Sequence, residues 1–253
     1  MNDLSLASRR DLLKTAGAAS IVGLVTLPPV LAQNVTSTEK PVMTPQTAPA
    51  FTTQSAPKPL GFDPSKLNGL SEKLIRSHWE NNYGGSVRAL AVVKKQLADA
   101  LANKDTPPFI YNDLKREHLM RTGSVVFHEY YFDNLGGAGK PDAAIRTALG
   151  ESFGDFDTWE TEFRRIGLGL GGGSGWVVLG YNFHTQQVEN YWMWDHLHGP
   201  PTTMPLLVMD MYEHSYQMDF GAATTKYIDA FFQNIQWETV QARLEQARKS
   251  MKA

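Results

Sequence analysis

The stretch Asp210-Met-Tyr-Glu-His214 places a carboxylate and an imidazole four residues apart, directly after the apolar run Pro205-Leu-Leu-Val-Met209. That spacing suits two ligands of one metal ion, and it equally suits a salt bridge at the start of a helix. An ionised carboxylate at the end of a buried strand is costly unless it is paired or bound to metal. His128 stands among Val125, Val126, Phe127, Tyr130, Tyr131 and Phe132. An imidazole so surrounded needs partners for both ring nitrogens, and metal ligation backed by one hydrogen bond is one way to supply them. His78 lies in an earlier helical stretch. Three imidazoles and one carboxylate from separate elements suit a first-row metal such as iron, manganese or zinc. His118 and His184, among charged or polar neighbours, read as surface residues.

Other chemistries find less support. The chain has no cysteine, which removes thiolate nucleophiles, disulfides and Cys-based metal sites. The run Gly171 to Gly175 lacks the lysine-hydroxyl ending of a phosphate loop and leads into a strand, so it reads as a tight turn. No serine sits in a Gly-x-Ser-x-Gly elbow. A net charge of −2 proposes neither nucleic acid nor an anionic membrane surface as partner.

The elements that must position these groups follow from periodicity. Residues 63 to 103 carry apolar positions at spacings of three and four, with Gly84-Gly85 as an interruption, and a second long helix runs from about 112 to 135. Shorter helices at 141–149 and 155–168 precede strand-like runs at 176–181, 187–195 and 205–210, and helices at 222–233 and 237–252 finish the chain. The expected fold is α+β, with an N-terminal helical hairpin (59–138) followed by an α/β domain (139–253) bearing a small three-stranded antiparallel sheet. Ahead of these, Ser8-Arg9-Arg10 followed by the apolar run Thr15 to Leu27 and by Val30-Leu31-Ala32 resembles a twin-arginine export signal over 1–32. Residues 33–58, rich in Thr, Pro and Ala, read as a disordered linker. The expected location is the bacterial periplasm, with no stable membrane association.

With His78, His128 and the 210–214 stretch in place, the chain from about 59 to 251 resembles the iron/manganese superoxide dismutase family. Its D-x-W-E-H-A-Y motif is close to Asp210-Met-Tyr-Glu-His-Ser-Tyr216. Phe127-His128-Glu-Tyr-Tyr-Phe-Asp-Asn-Leu135, the stretch Ser152 to Phe163 and Gly173-Ser-Gly-Trp-Val-Val-Leu179 support it. The resemblance implies one Fe or Mn ion per subunit, bound by His78, His128, Asp210 and His214, and conversion of superoxide to oxygen and hydrogen peroxide. It implies that His196 is the partner of metal-bound solvent, because the alternative position for that role holds Ser124. It implies further that Trp176 walls the pocket and that Glu213 reaches across a homodimer interface.

Several positions depart from the family pattern. Asn82, Tyr83 and Ser86 stand where two histidines and a tyrosine usually line the substrate funnel. Tyr212 replaces a tryptophan, Gln217 a tyrosine, and Thr224-Thr225 an Arg-Pro pair. These changes support an alternative: a metal-binding relative with little or no dismutase activity.

Overall fold

A computed structural model describes residues Met43–Met251. The expected export signal and residues 33–42 of the expected linker lie outside the described residues. Helix α1 (Glu72–Ser77) is started by the Ser71 side chain, which accepts from the Leu74 amide at 3.0 Å. The expected interruption at Gly84-Gly85 is not where the helical path changes. It changes upstream, in a π-helical turn at His78–Tyr83, and both glycines are helical at the start of α2 (Gly84–Ala102). A π turn inserts an extra residue and so rotates the side chains around it, and it begins here at a candidate ligand. The glycines' poor helix propensity is outweighed by packing, since a side chain at Gly84 would meet Arg88 and the Trp79 carbonyl at 3.3 Å.

Helix α2 buries Val87, Leu90, Val93 and Leu97 against α3 (Pro108–Asp133), whose own buried positions are Ser124, Val125, Phe127, His128, Tyr131 and Phe132. Pro108 opens α3 at a position where a missing amide costs nothing. The chain then forms α4 (Ala143–Phe153) and α5 (Phe156–Leu170), capped by the Asp142 and Asp155 side chains.

Strands β1 (Trp176–Asn182), β2 (Gln187–Met193) and β3 (Thr203–Asp210) make the expected antiparallel sheet in the order β2-β1-β3. Central β1 is buried from Trp176 to Tyr181, consistent with its unbroken apolar run. Its register sets Trp176 opposite Asp210. Helices α6 (Gln217–Phe220), α7 (Thr224–Gln233) and α8 (Trp237–Ser250) complete the fold.

The hairpin and the sheet share one apolar core, so the expected division between residues 138 and 139 separates layers of one compact unit. Asn134, just past α3, clamps β3: its side-chain amide donates to the Leu206 carbonyl at 3.3 Å and its oxygen accepts from the Val208 amide at 3.0 Å. Residues 43–58, inside the expected linker, are not featureless. They form 3₁₀ turns at Pro45–Thr47 and Pro49–Phe51 and run along the hairpin. Lys94 Nζ donates to the Thr52 carbonyl at 2.9 Å, Trp79 Nε1 donates to the Lys58 carbonyl at 2.8 Å, and the Lys58 amide donates to the Tyr83 hydroxyl at 2.9 Å. Proline composition predicts an extended chain, but it carries no information about docking sites on a neighbouring hairpin.

Candidate metal centre

Four elements converge on one point. The π turn supplies His78, α3 supplies His128, the end of β3 supplies Asp210, and the 3₁₀ turn Glu213–Ser215 supplies His214. One potential ligand atom from each lies within 4.8 Å of the others. Asp210 Oδ2 is 3.1 Å from His78 Nε2, 3.2 Å from His214 Nε2 and 3.6 Å from His128 Nε2. The side chains of His78 and Asp210 are fully buried, and His214 is the most open of the set.

The ring nitrogens report what the cluster is built for. His128 Nδ1 donates to the Ser124 carbonyl at 2.7 Å, which leaves the Nε2 lone pair directed at the cluster. Yet His128 Nε2 and both nitrogens of His78 are buried without a hydrogen-bond partner. The 3.1 Å approach of His78 Nε2 to Asp210 is therefore proximity without hydrogen-bond alignment. The Nε2 atoms of His78 and His128, buried and facing a buried carboxylate, are costly by themselves and are satisfied by a cation at their common focus, whereas His78 Nδ1 points away from it. The donor set of three nitrogens and one oxygen fits iron or manganese.

Electrostatics agree with that geometry. Burial alone would raise the Asp210 carboxyl, but the facing imidazoles of His214 and His78 hold it well below the usual carboxylate range. Burial pushes His78 and His128 down, which keeps both rings neutral and able to act as ligands. The Asp210 backbone is also pinned. Its carbonyl accepts from the Tyr227 hydroxyl at 2.6 Å and from Ser215 Oγ at 2.9 Å, and its Oδ1 accepts from the Tyr212 amide at 2.8 Å.

His196 sits beside the cluster, with its ring centroid 6.1 Å from that of His128. Trp176 Nε1 donates to His196 Nδ1 at 3.1 Å, so Trp176 both walls the site and orients this ring. Tyr212 stacks on His196 at 4.6 Å and on His214 at 5.3 Å, and so fills the place between them as an aromatic wall. Gly123 makes this arrangement possible, since a Cβ there would lie 2.0 Å from the His196 carbonyl oxygen.

A cleft of about 440 Å³ opens onto the site, lined by Asn82, Ser86, Ser124, His128, His196 and His214 together with Asn81, Gly85, Arg121 and Tyr212. Two of the three departures expected in a funnel are in this lining. Tyr83 is not. It is buried away from the cleft, where its hydroxyl donates to Glu129 Oε1 at 2.9 Å. Ser86 and Ser124 join their hydroxyls at 2.7 Å on the buried side of the cleft. His184 is exposed as expected, whereas His118 is half-buried. Glu213 is exposed and outside the cluster.

Arg121, Ser215, Tyr227 and Gly123 are not among the site residues expected from sequence. Gly123 and Tyr227 act through contacts between elements distant in the chain, whereas Ser215 bonds the nearby Asp210 carbonyl and Arg121 pairs with Glu117 one helical turn earlier. The one local signal was a glycine inside a helix next to candidate ligands, which often marks close backbone approach.

Comparison with known proteins bears on the whole arrangement. The family profile described as iron/manganese superoxide dismutases, C-terminal domain, matches residues 141–243. A protein of Cupriavidus metallidurans named as an iron superoxide dismutase is 49% identical over 190 residues, covering 75% of this chain and 96% of that protein. An iron superoxide dismutase of Aquifex aeolicus is 33% identical over 199 residues, 75% of this chain and 91% of the relative. A manganese superoxide dismutase of Haloferax volcanii is 27% identical over 195 residues, 76% of this chain and 94% of the relative. Together with the convergence of three imidazoles and one carboxylate, these matches establish that the chain belongs to the iron/manganese superoxide dismutase family.

Proposed function

We propose that this protein is a superoxide dismutase that uses one Fe or Mn ion held by His78, His128, Asp210 and His214. The observation that carries the reading is the set of four ligand atoms within 4.8 Å, with buried imidazole nitrogens that have no other partner. A bound Fe or Mn ion would supply one-electron exchange, so that one superoxide is oxidised to oxygen and a second, with two protons, is reduced to hydrogen peroxide.

The chain's own residues set the conditions for that exchange. The hydrogen bond from His128 Nδ1 to Ser124 fixes the ring tautomer. Asp210 contributes a negative charge that offsets part of the cation's charge in a buried site. Because His196 Nδ1 accepts from Trp176, its proton resides on Nε2, where it can donate to a molecule in the cleft. Burial lowers the basicity of His196, so it acts as a neutral donor. Trp176 and Phe132 pack against His128, and Tyr212 lines the cleft, so aromatic rings wall the site.

In the same reading the protein is exported to the periplasm through the Arg9-Arg10 signal and works as a homodimer with Glu213 at the interface. The first is supported by the order of arginine pair, apolar run and small-residue site, and the second by the exposed carboxylate beside His214. Asp210→Ala tests the function. Metal-loaded wild type is expected to dismutate superoxide, and the variant is expected to lose both metal and activity.

The second reading, a metal-binding relative with little or no dismutase activity, is favoured by the hydroxyl pair Ser86 and Ser124, which offers weaker acids than the family's usual funnel groups. Stoichiometric metal with a rate no better than the free ion is its signature.

A further inference from the structure

We propose that Arg121 is the anion-guiding residue of this site, in the sense that its charge draws superoxide into the cleft. The inference rests on the dismutase reading above for the identity of the anion. Arg121 is the one guanidinium or ammonium side chain among the described residues that line the cleft, and the same lining contains no carboxylate. The histidines of that lining are neutral by burial or committed to the cluster, so they do not share this role.

The local field matters because the whole molecule works against it. The chain's net charge is −2, and a small anion approaching from a distance meets a mildly repulsive surface. At physiological ionic strength, charges beyond about 8–10 Å are largely screened. Capture then depends on a cation at the mouth itself. Arg121 is held there rather than free: two of its nitrogens lie 2.6 Å from Glu117 Oε1, one turn earlier on α3, which fixes the direction of the side chain. Glu117 is outside the cleft lining, so the cleft meets the guanidinium and not its counter-ion. The side chain is about one-third exposed, buried enough to be less screened than a free surface arginine.

The experiment compares metal-loaded wild type with Arg121→Gln and Arg121→Lys in two measurements. The first is kcat/KM for superoxide as a function of ionic strength. The second is the dissociation constant of azide, a small monovalent anion, from optical titration of the bound metal. Arg121→Gln is expected to lower kcat/KM about threefold to tenfold at low salt and to flatten its salt dependence relative to wild type. It is also expected to weaken azide binding by a similar factor, with Arg121→Lys recovering most of both. Lys66→Gln, a surface cation outside the cleft, is expected to change neither. An unchanged salt dependence and azide affinity in Arg121→Gln would overturn the proposal. A wild type without dismutase activity would defeat the functional reading instead, and the azide titration would still decide whether Arg121 attracts anions.

Discussion

His196 shows how much one side chain's role depends on its neighbours. The ring accepts from Trp176 Nε1, stacks on Tyr212 and rests its backbone against Gly123, so its Nε2 proton is aimed by three separate contacts. It touches none of the proposed ligands by hydrogen bond, which separates its contribution from metal binding. His196→Ala is expected to retain one metal per subunit while activity falls about 10- to 100-fold. Metal content and dismutation rate on the same sample check this, and loss of metal in the variant would assign His196 a structural role. The ligand residues themselves were legible in the sequence because burying an imidazole or a carboxylate demands a partner. Their neighbour Tyr227 was not, since a hydroxyl that holds the Asp210 carbonyl from another helix leaves no local pattern.

Helix α3 is the element on which the site depends most, since it carries His128, Ser124, Gly123 and Arg121 on consecutive turns. Gly123→Ala would drive a methyl group into the His196 carbonyl, and overpacking of this kind costs about 1–3 kcal/mol. A lower thermal midpoint with a displaced His196 loop is the expected outcome, and an unchanged midpoint would show that the loop moves freely. Tyr83, in the π turn, ties the hairpin to the segment at Lys58. Burial, assisted by the Glu129 carboxylate, pushes its phenol up to about 12, against near 10 in an unfolded chain. Between those values the folded state keeps a proton that the unfolded state has released. The stability contributed is complete below about pH 10 and is lost as pH rises toward 12. Tyr83→Phe should lower stability by about 1–2 kcal/mol near neutral pH and show a shallower alkaline decline than wild type in denaturant titrations. Most helices and all three strands were legible because their apolar periods differ. The π turn was not, since Gly84-Gly85 gave a stronger local signal than the six residues before it, and only packing against α3 decides which of the two bends the path.

The whole molecule joins a helical hairpin and a three-stranded sheet through one core, with the candidate ligands drawn from both. A site assembled from both layers forms only when they close, so metal binding and folding are coupled. The exposed carboxylate of Glu213 lies beside His214 and belongs to a proposed contact between subunits. Glu213→Ala is expected to shift the protein from dimer to monomer at micromolar concentration, as read by sedimentation equilibrium, and an unchanged mass distribution would remove Glu213 from the interface. The most direct test of the account is metal analysis and superoxide dismutation measured together on wild type and Asp210→Ala. Wild type is expected to hold one Fe or Mn per subunit and to dismutate superoxide rapidly, and the variant is expected to lose both. Equal activity in the two proteins, or a metal-loaded wild type no faster than the free ion, would contradict it.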